Sequence, residues 1–201
     1  MTPQMPGKAM LRSRLLASRA ARDAESLART AESLARRGVE LPELSGASTV
    51  AAYVSVGREP GTRALLDALH ARGIRVLLPV LLPDNDLDWA AYEGPGALAK
   101  AGRGLLEPTG PRLGPEAVCA ADAVLLPGLA VDGRGMRLGR GGGSYDRVLA
   151  RLARARVDPA LVVLLYAEEV VARVPEEPHD HPVHAVVTPE GVTRFRGAAT
   201  A

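Results

Sequence analysis

Residues 125–149 read LLPGLAVDGRGMRLGRGGGSYDRVL. The apolar run 121–126 has strand character and ends at Pro127-Gly128, Leu129 to Asp132 follow, and a helix is expected from Ser144 to about Arg156. Strand, glycine loop and helix in that order belong to an α/β protein. Within the loop, Gly139, Gly141, Gly142 and Gly143 lack Cβ atoms, so backbone N–H groups can approach a ligand closely. The positive end of a helix beginning at Ser144 would face the same space. With Arg137, Arg140 and Asp146 beside it, this is the chemistry of a phosphate cradle with a carboxylate at hand for a metal ion. A flexible glycine linker is the competing reading. The Walker pattern does not fit, since no Lys-Ser/Thr follows the last glycine. The dinucleotide fingerprint fits poorly, because the run lies late in the chain and Ser144 stands at its third glycine position.

Outward from the loop, the chain alternates strands and helices. Leu11, Leu15, Ala20, Ala24, Leu27, Ala31 and Leu34 predict one long amphipathic helix with its arginines outward, ended by Gly38. Residues 48–56 predict a buried strand. Thr62 can cap a helix to about Arg72, which Gly73 stops. Strands follow at 74–80 and, more weakly, 87–92; residues 94–116, rich in Gly and Pro, read as a long surface connection. Residues 160–166 give a fourth core strand, 170–174 a short ambiguous one, and 185–188 with 192–196 a hairpin. The expectation is one domain over residues 1–201: an α/β fold, three-layer α/β/α, with a mostly parallel Rossmann-like sheet and a C-terminal hairpin. Ligands in such sheets sit beyond the carboxyl ends of strands, where the glycine loop falls.

The bulk composition narrows the function. The chain has 201 residues, 47% of them apolar and only 3% aromatic. Its net charge is +2, yet residues 1–37 alone carry eight basic and three acidic side chains. A basic segment invites an anionic partner. RNA is one such partner, but few aromatics are available to stack on bases and no binding motif appears. Cys119 is the only cysteine, which leaves no internal disulfide and no thiolate metal cluster. No apolar run approaches a membrane span, and Asp23, Glu25 and Glu32 argue against a transit peptide, so the expectation is a cytoplasmic protein with no membrane partner. His179, His181 and His184 do not follow a standard zinc spacing.

The string 125–149 strongly resembles the signature of the 5-formyltetrahydrofolate cyclo-ligase (5,10-methenyltetrahydrofolate synthetase) family, with its Pro-Gly, apolar-Asp turn and Arg-Leu-Gly-x-Gly-x-Gly-x-Tyr-Asp. Lys8 and Arg12 match the family's Lys-x-x-x-Arg. Ser55, Glu59 and Thr62 match its Ser, Glu and Thr after the first strand. Glu107-Pro108 and Asp180 match in order further on. The resemblance implies ATP-driven ring closure. The formyl oxygen takes the γ-phosphoryl group, N10 attacks the activated carbon, and 5,10-methenyltetrahydrofolate, ADP and phosphate result.

The same resemblance implies the site. Lys8 and Arg12, four apart on one helix face, form an ATP phosphate clamp; a solvated basic face competes with that reading. Arg137, Arg140, Gly139, Gly141, Gly142, Gly143, Ser144 and Tyr145 belong to the ATP site, with Arg140 placed either at the polyphosphate or against the formyl and transferring phosphoryl groups. Arg140 and Tyr145 are the catalytic candidates, with a Tyr145 that simply anchors the helix as the competing reading. Val54, Glu59, Arg140 and Ser144 contact the folate, Glu59 by accepting from pterin N–H groups. Asp146 and Asp180 hold Mg²⁺. A simple helix-start aspartate competes at position 146, and an exposed loop acid at position 59. The expected partners are folate and ATP, no nucleic acid, and the protein a monomer. Three positions depart from the family. Gly142 stands where many members carry Lys, Ser144 where many carry an aromatic, and His184 where an Asp is frequent. Arg134, Arg147 or Lys100 could compensate; a non-catalytic nucleotide- or folate-binding paralogue is the alternative.

Overall fold

A computed structural model describes residues 7–178 and 180–195. Its centre is a seven-stranded sheet. The strands are β1 (Thr49–Ala51), β2 (Arg75–Leu81), β3 (Leu87–Ala91), β6 (Ala123–Leu126), β9 (Ala160–Leu164), β11 (Ala185–Val187) and β12 (Val192–Arg194), in the order β12-β11-β9-β6-β1-β2-β3. The five inner strands run parallel; β3 and β12 close the edges antiparallel. Between them in sequence lie β4 (Leu98–Lys100) with β5 (Leu106–Pro108), and β7 (Ala130–Asp132) with β8 (Arg137–Leu138) and β10 (Val170–Val171), which form two smaller sheets.

Side-chain alternation assigns the faces. In β6, Ala123 and Leu125 point to one face, against α2 (Ala24–Glu40), α3 (Pro42–Ser45) and α4 (Arg63–Ala71) through Leu34, Leu44, Leu65 and Leu69. Val124 and Leu126 point to the other, against Val148, Leu149 and Leu152 of α5 (Ser144–Ala155). The three-layer α/β/α expectation therefore holds. α1 (Lys8–Ala20) lies apart from this stack: its Leu11 and Leu15 pack on Leu129, Ala130, Leu138 and Val174 around the small β7–β8–β10 sheet.

That separate seat explains the first correction. The single long helix is two, because Leu11 and Leu15 face one sheet and Leu34 another. Asp23 starts the second by accepting from Ser26 N at 2.7 Å. Gly38 is not a stop: it lies inside α2, and a Cβ there would come within 2.6 Å of Leu65, so it allows α2 and α4 to close. The 94–116 connection contains the β4–β5 hairpin and runs into a 3-10 turn, Pro115–Ala120. The first strand pairs only over Thr49–Ala51, and the chain then leaves the sheet toward the cavity described below. The hairpin prediction to Arg196 ends outside the described residues, as does His179.

Candidate active site

Chain order places the cavity. From β1 the sheet grows toward β2 on one side; from β6 it grows toward β9 on the other. The switch point between β1 and β6 leaves a crevice beyond their carboxyl ends. A cavity of about 320 Å³ occupies it, walled by Tyr53 and Val54 after β1, Pro79 and Leu81 at the end of β2, Pro127-Gly128 after β6, and the glycine loop. Val54, Glu59, Arg137, Arg140, Gly139, Gly141, Gly142, Gly143, Ser144, Tyr145 and Asp146 all line it.

The glycine loop is shaped for this position. Gly141 and Gly143 adopt φ of +94° and +78°, which disfavours any side chain. Gly143 directly precedes α5, so the first-turn N–H groups of that helix face the cavity rim. Asp146 sits in that first turn with its carboxylate half exposed.

Arg137 is the electrostatic centre. Its side chain is only 6% exposed, its Nη1 donates to Pro127 O at 2.8 Å and its Nη2 reaches Asp146 Oδ1 at 3.4 Å. Its Nε is buried without an acceptor among the described residues, and so is the Tyr145 hydroxyl. Burial works against the Arg137 charge while Asp146 supports it, and the guanidinium stays cationic. Burial and the Glu59 charge push the Tyr145 phenol well up, so its proton stays in place. Tyr53 shows the same shift for the same reasons. Two buried donors with no acceptor are costly unless a ligand satisfies them.

Glu59 is not an exposed loop acid. Its side chain is 10% exposed, its Oε2 accepts from Val56 N at 2.8 Å, and its Oε1 lies 3.6 Å from Arg140 Nε. Ser55 and Thr62 hold its loop closed. Thr62 Oγ1 accepts from Ser55 N at 2.9 Å, and Ser55 Oγ accepts from Thr62 N at 3.1 Å. Thr62 precedes α4 but spends its hydroxyl on this clamp, so it does not cap the helix as expected.

Lys8, Arg12 and Asp180 are placed differently. None of the three lines the cavity. Arg12 Nε donates to Gly139 O at 2.9 Å and packs on Gly141. Lys8 Nζ meets Asp180 Oδ2 at 2.9 Å and Glu177 at 3.2 Å. Partial burial opposes the Lys8 charge, but the two carboxylates outweigh it and raise its pKa. Lys8, Arg12, Arg19 and Arg22 all engage in intramolecular bonds, so much of the basic N-terminal segment is not an open face.

Sequence reasoning missed part of the wall. Tyr53, Asn85, Arg103, Leu105 and Leu106 line the cavity without having been singled out. Glu107, noted only for its Glu-Pro pair, accepts from Leu81 N at 3.0 Å and pins β5 to the end of β2. Reading 94–116 as a plain connection hid this wall. None of the suggested compensating cations, Arg134, Arg147 and Lys100, lines the cavity. His184 accepts at Nδ1 from Leu161 N at 2.7 Å, a bond within the sheet's flank. Among the described residues, no group of three or more His, Cys, Asp or Glu is arranged to hold a metal ion by itself.

Comparison with known proteins decides the family: a model of the 5-formyltetrahydrofolate cyclo-ligase family matches residues 4–189. The chain belongs to the 5-formyltetrahydrofolate cyclo-ligase family. The cyclo-ligase of Mycolicibacterium smegmatis is 44% identical over 154 residues, 74% of this chain and 77% of that protein. The cyclo-ligase of Escherichia coli is 33% identical over 158 residues, 78% of this chain and 86% of that one. The solution structure of Aquifex aeolicus 5,10-methenyltetrahydrofolate synthetase superposes with a TM-score of 0.80 at 29% identity, covering 96% of this chain and 95% of that one. Membership in the cyclo-ligase family makes the chain a folate-family ligase, and no described helix is long and apolar enough to cross a membrane.

Proposed function

We propose that this chain closes the ring of 5-formyltetrahydrofolate to 5,10-methenyltetrahydrofolate with ATP and Mg²⁺, releasing ADP and phosphate. The observation that carries the reading is Arg137. It is a buried cation whose Nε has no partner among the described residues, set beside a glycine loop, a helix start and a carboxylate on one cavity wall. That donor set suits a polyphosphate.

The residues divide the work. Arg137 and the N–H groups of residues 139–143 hold the phosphates, while Arg12 braces the loop from behind through Gly139 O. Lys8, tied to Asp180, adds positive charge from the same helix. Arg140, beside Glu59 on the wall, faces the formyl oxygen as charge moves onto the transferring phosphoryl group. Glu59, fixed by Val56 N, accepts from the pterin N–H edge, with Val54 and Ser144 against the ring system. The Tyr145 hydroxyl donates to bound substrate, its raised pKa excluding a role as base near neutral pH. Such positioning exchanges a poor amide-oxygen leaving group for phosphate. Mg²⁺, when bound, neutralises phosphate charge. Asp146, half exposed on the wall, would offer it a hard oxygen ligand, with Asp180 as the second carboxylate.

A non-catalytic binder of folate or nucleotide is the second reading, favoured by Gly142 and Ser144. The absorbance of methenyltetrahydrofolate, followed with 5-formyltetrahydrofolate and Mg²⁺ with and without ATP, separates them. ATP-dependent product supports the ligase; tight ligand binding without product supports the binder.

A further inference from the structure

One cation on the cavity wall is used by neither the glycine loop nor the pterin contacts. Arg103 lies at the tip of the β4–β5 hairpin and lines the cavity. Its backbone is left-handed, φ 60° and ψ 23°, a conformation that is costly for a residue with a side chain. Strain of that kind is kept where the surroundings impose it, and it clusters at ligand sites.

The tip is fixed at two points. A Cβ on Gly104 would lie 3.9 Å from Val56, so the turn rests on the loop that carries Glu59. Arg103 Nη1 donates to Asn85 Oδ1 at 3.2 Å, and Asn85 is itself left-handed, φ 65°, and on the wall. This partner is neutral. Arg137 faces Asp146 and Arg140 faces Glu59, whereas Arg103 pairs with no carboxylate among the described residues. Leu81, Leu87, Leu105 and Leu106 line the same cavity. Apolar surface with an unpaired guanidinium suits a ligand that is flat and apolar along its length and anionic at one end. The benzoyl-glutamate half of 5-formyltetrahydrofolate has that form: a flat aromatic ring followed by a glutamate with two carboxylates. A guanidinium fork binds a carboxylate with two parallel hydrogen bonds.

We propose that Arg103 binds the glutamate carboxylate of the folate and makes the enzyme prefer folate to a pteroate that lacks it; this rests on the cyclo-ligase reading. The test compares kcat/KM for 5-formyltetrahydrofolate and 5-formyltetrahydropteroate. The wild-type protein prefers the first. Arg103→Asn, which tolerates a left-handed backbone, lowers that preference by about tenfold or more, equivalent to ~1.4 kcal/mol. Arg103→Lys restores part of it. An unchanged preference in Arg103→Asn, or an equal loss on both compounds, overturns the proposal, the second outcome indicating a phosphate or hinge role. A wild-type protein that turns over neither compound refutes the cyclo-ligase reading instead. Equilibrium binding of the two compounds to the same variants then decides the Arg103 proposal by the same ratio.

Discussion

Arg12 donates its Nε proton to the carbonyl oxygen of Gly139 at 2.9 Å, so α1 grips the glycine loop from outside the cavity. The grip is close: a Cβ on Gly141 would lie 3.4 Å from the guanidinium carbon of Arg12. At its other end α1 is locked by Arg19, which donates to Gly128 O at 2.6 Å and to both oxygens of Glu169. One helix thus sets both the loop and the Pro127-Gly128 turn that holds Arg137.

Arg12→Ala therefore raises KM for ATP by about tenfold, the worth of one hydrogen bond of a charged group. Initial rates at varied ATP measure it. An unchanged KM would show that the loop holds its shape without α1.

Gly142 has open space where a side chain would go, and its φ lies outside the left-handed range. Nothing steric excludes the Lys that many family members carry. Gly142→Lys lowers KM for ATP by about threefold or more, consistent with one added charge-assisted contact, and binding calorimetry with ATP checks it. No gain in affinity would mean the phosphates lie elsewhere.

Glu169 and Arg19 are 1% and 3% exposed. Burial pushes the Glu169 carboxyl up even against Arg19. Glu169→Ala leaves the guanidinium buried and uncompensated and costs about 3–5 kcal/mol in urea unfolding. Replacing both, Arg19→Met with Glu169→Leu, restores most of that stability. A double variant as unstable as the single one would contradict this account.

Asp132 gives a pH-dependent term. Burial raises its pKa, but donations from Val174 N, Arg134 and Met136 N outweigh it and hold the carboxyl below its usual value. A depressed native pKa stabilises the fold above the unfolded value of about 3.9. That contribution is lost as pH falls through the native pKa. Asp132→Asn costs about 2 kcal/mol at pH 7 and clearly less at pH 3, by denaturation at both. Equal cost at both pH values would contradict the assignment.

Much of this was legible from residue order. The alternation of Ala123, Val124, Leu125 and Leu126 sorts cleanly onto two faces, and the 125–149 string marks the cavity wall it forms. Two features were not. The break between α1 and α2 depends on which sheet each apolar stripe meets, and helical periodicity continues across it. The Arg103 wall depends on a hairpin of three-residue strands, too short to show alternation among its glycines. The fate of the basic N-terminal segment was also hidden, because Arg19 and Arg22 find their partners about 150 residues away in Glu169 and Glu168.

The central claim is that phosphoryl transfer drives ring closure in this cavity, and the most direct measurement is the ratio of ADP released to methenyltetrahydrofolate formed. The account predicts one ADP for each methenyl product, with both lost together in Arg137→Ala while the variant stays folded. Product formed without ATP, or Arg137→Ala retaining full activity, would contradict it.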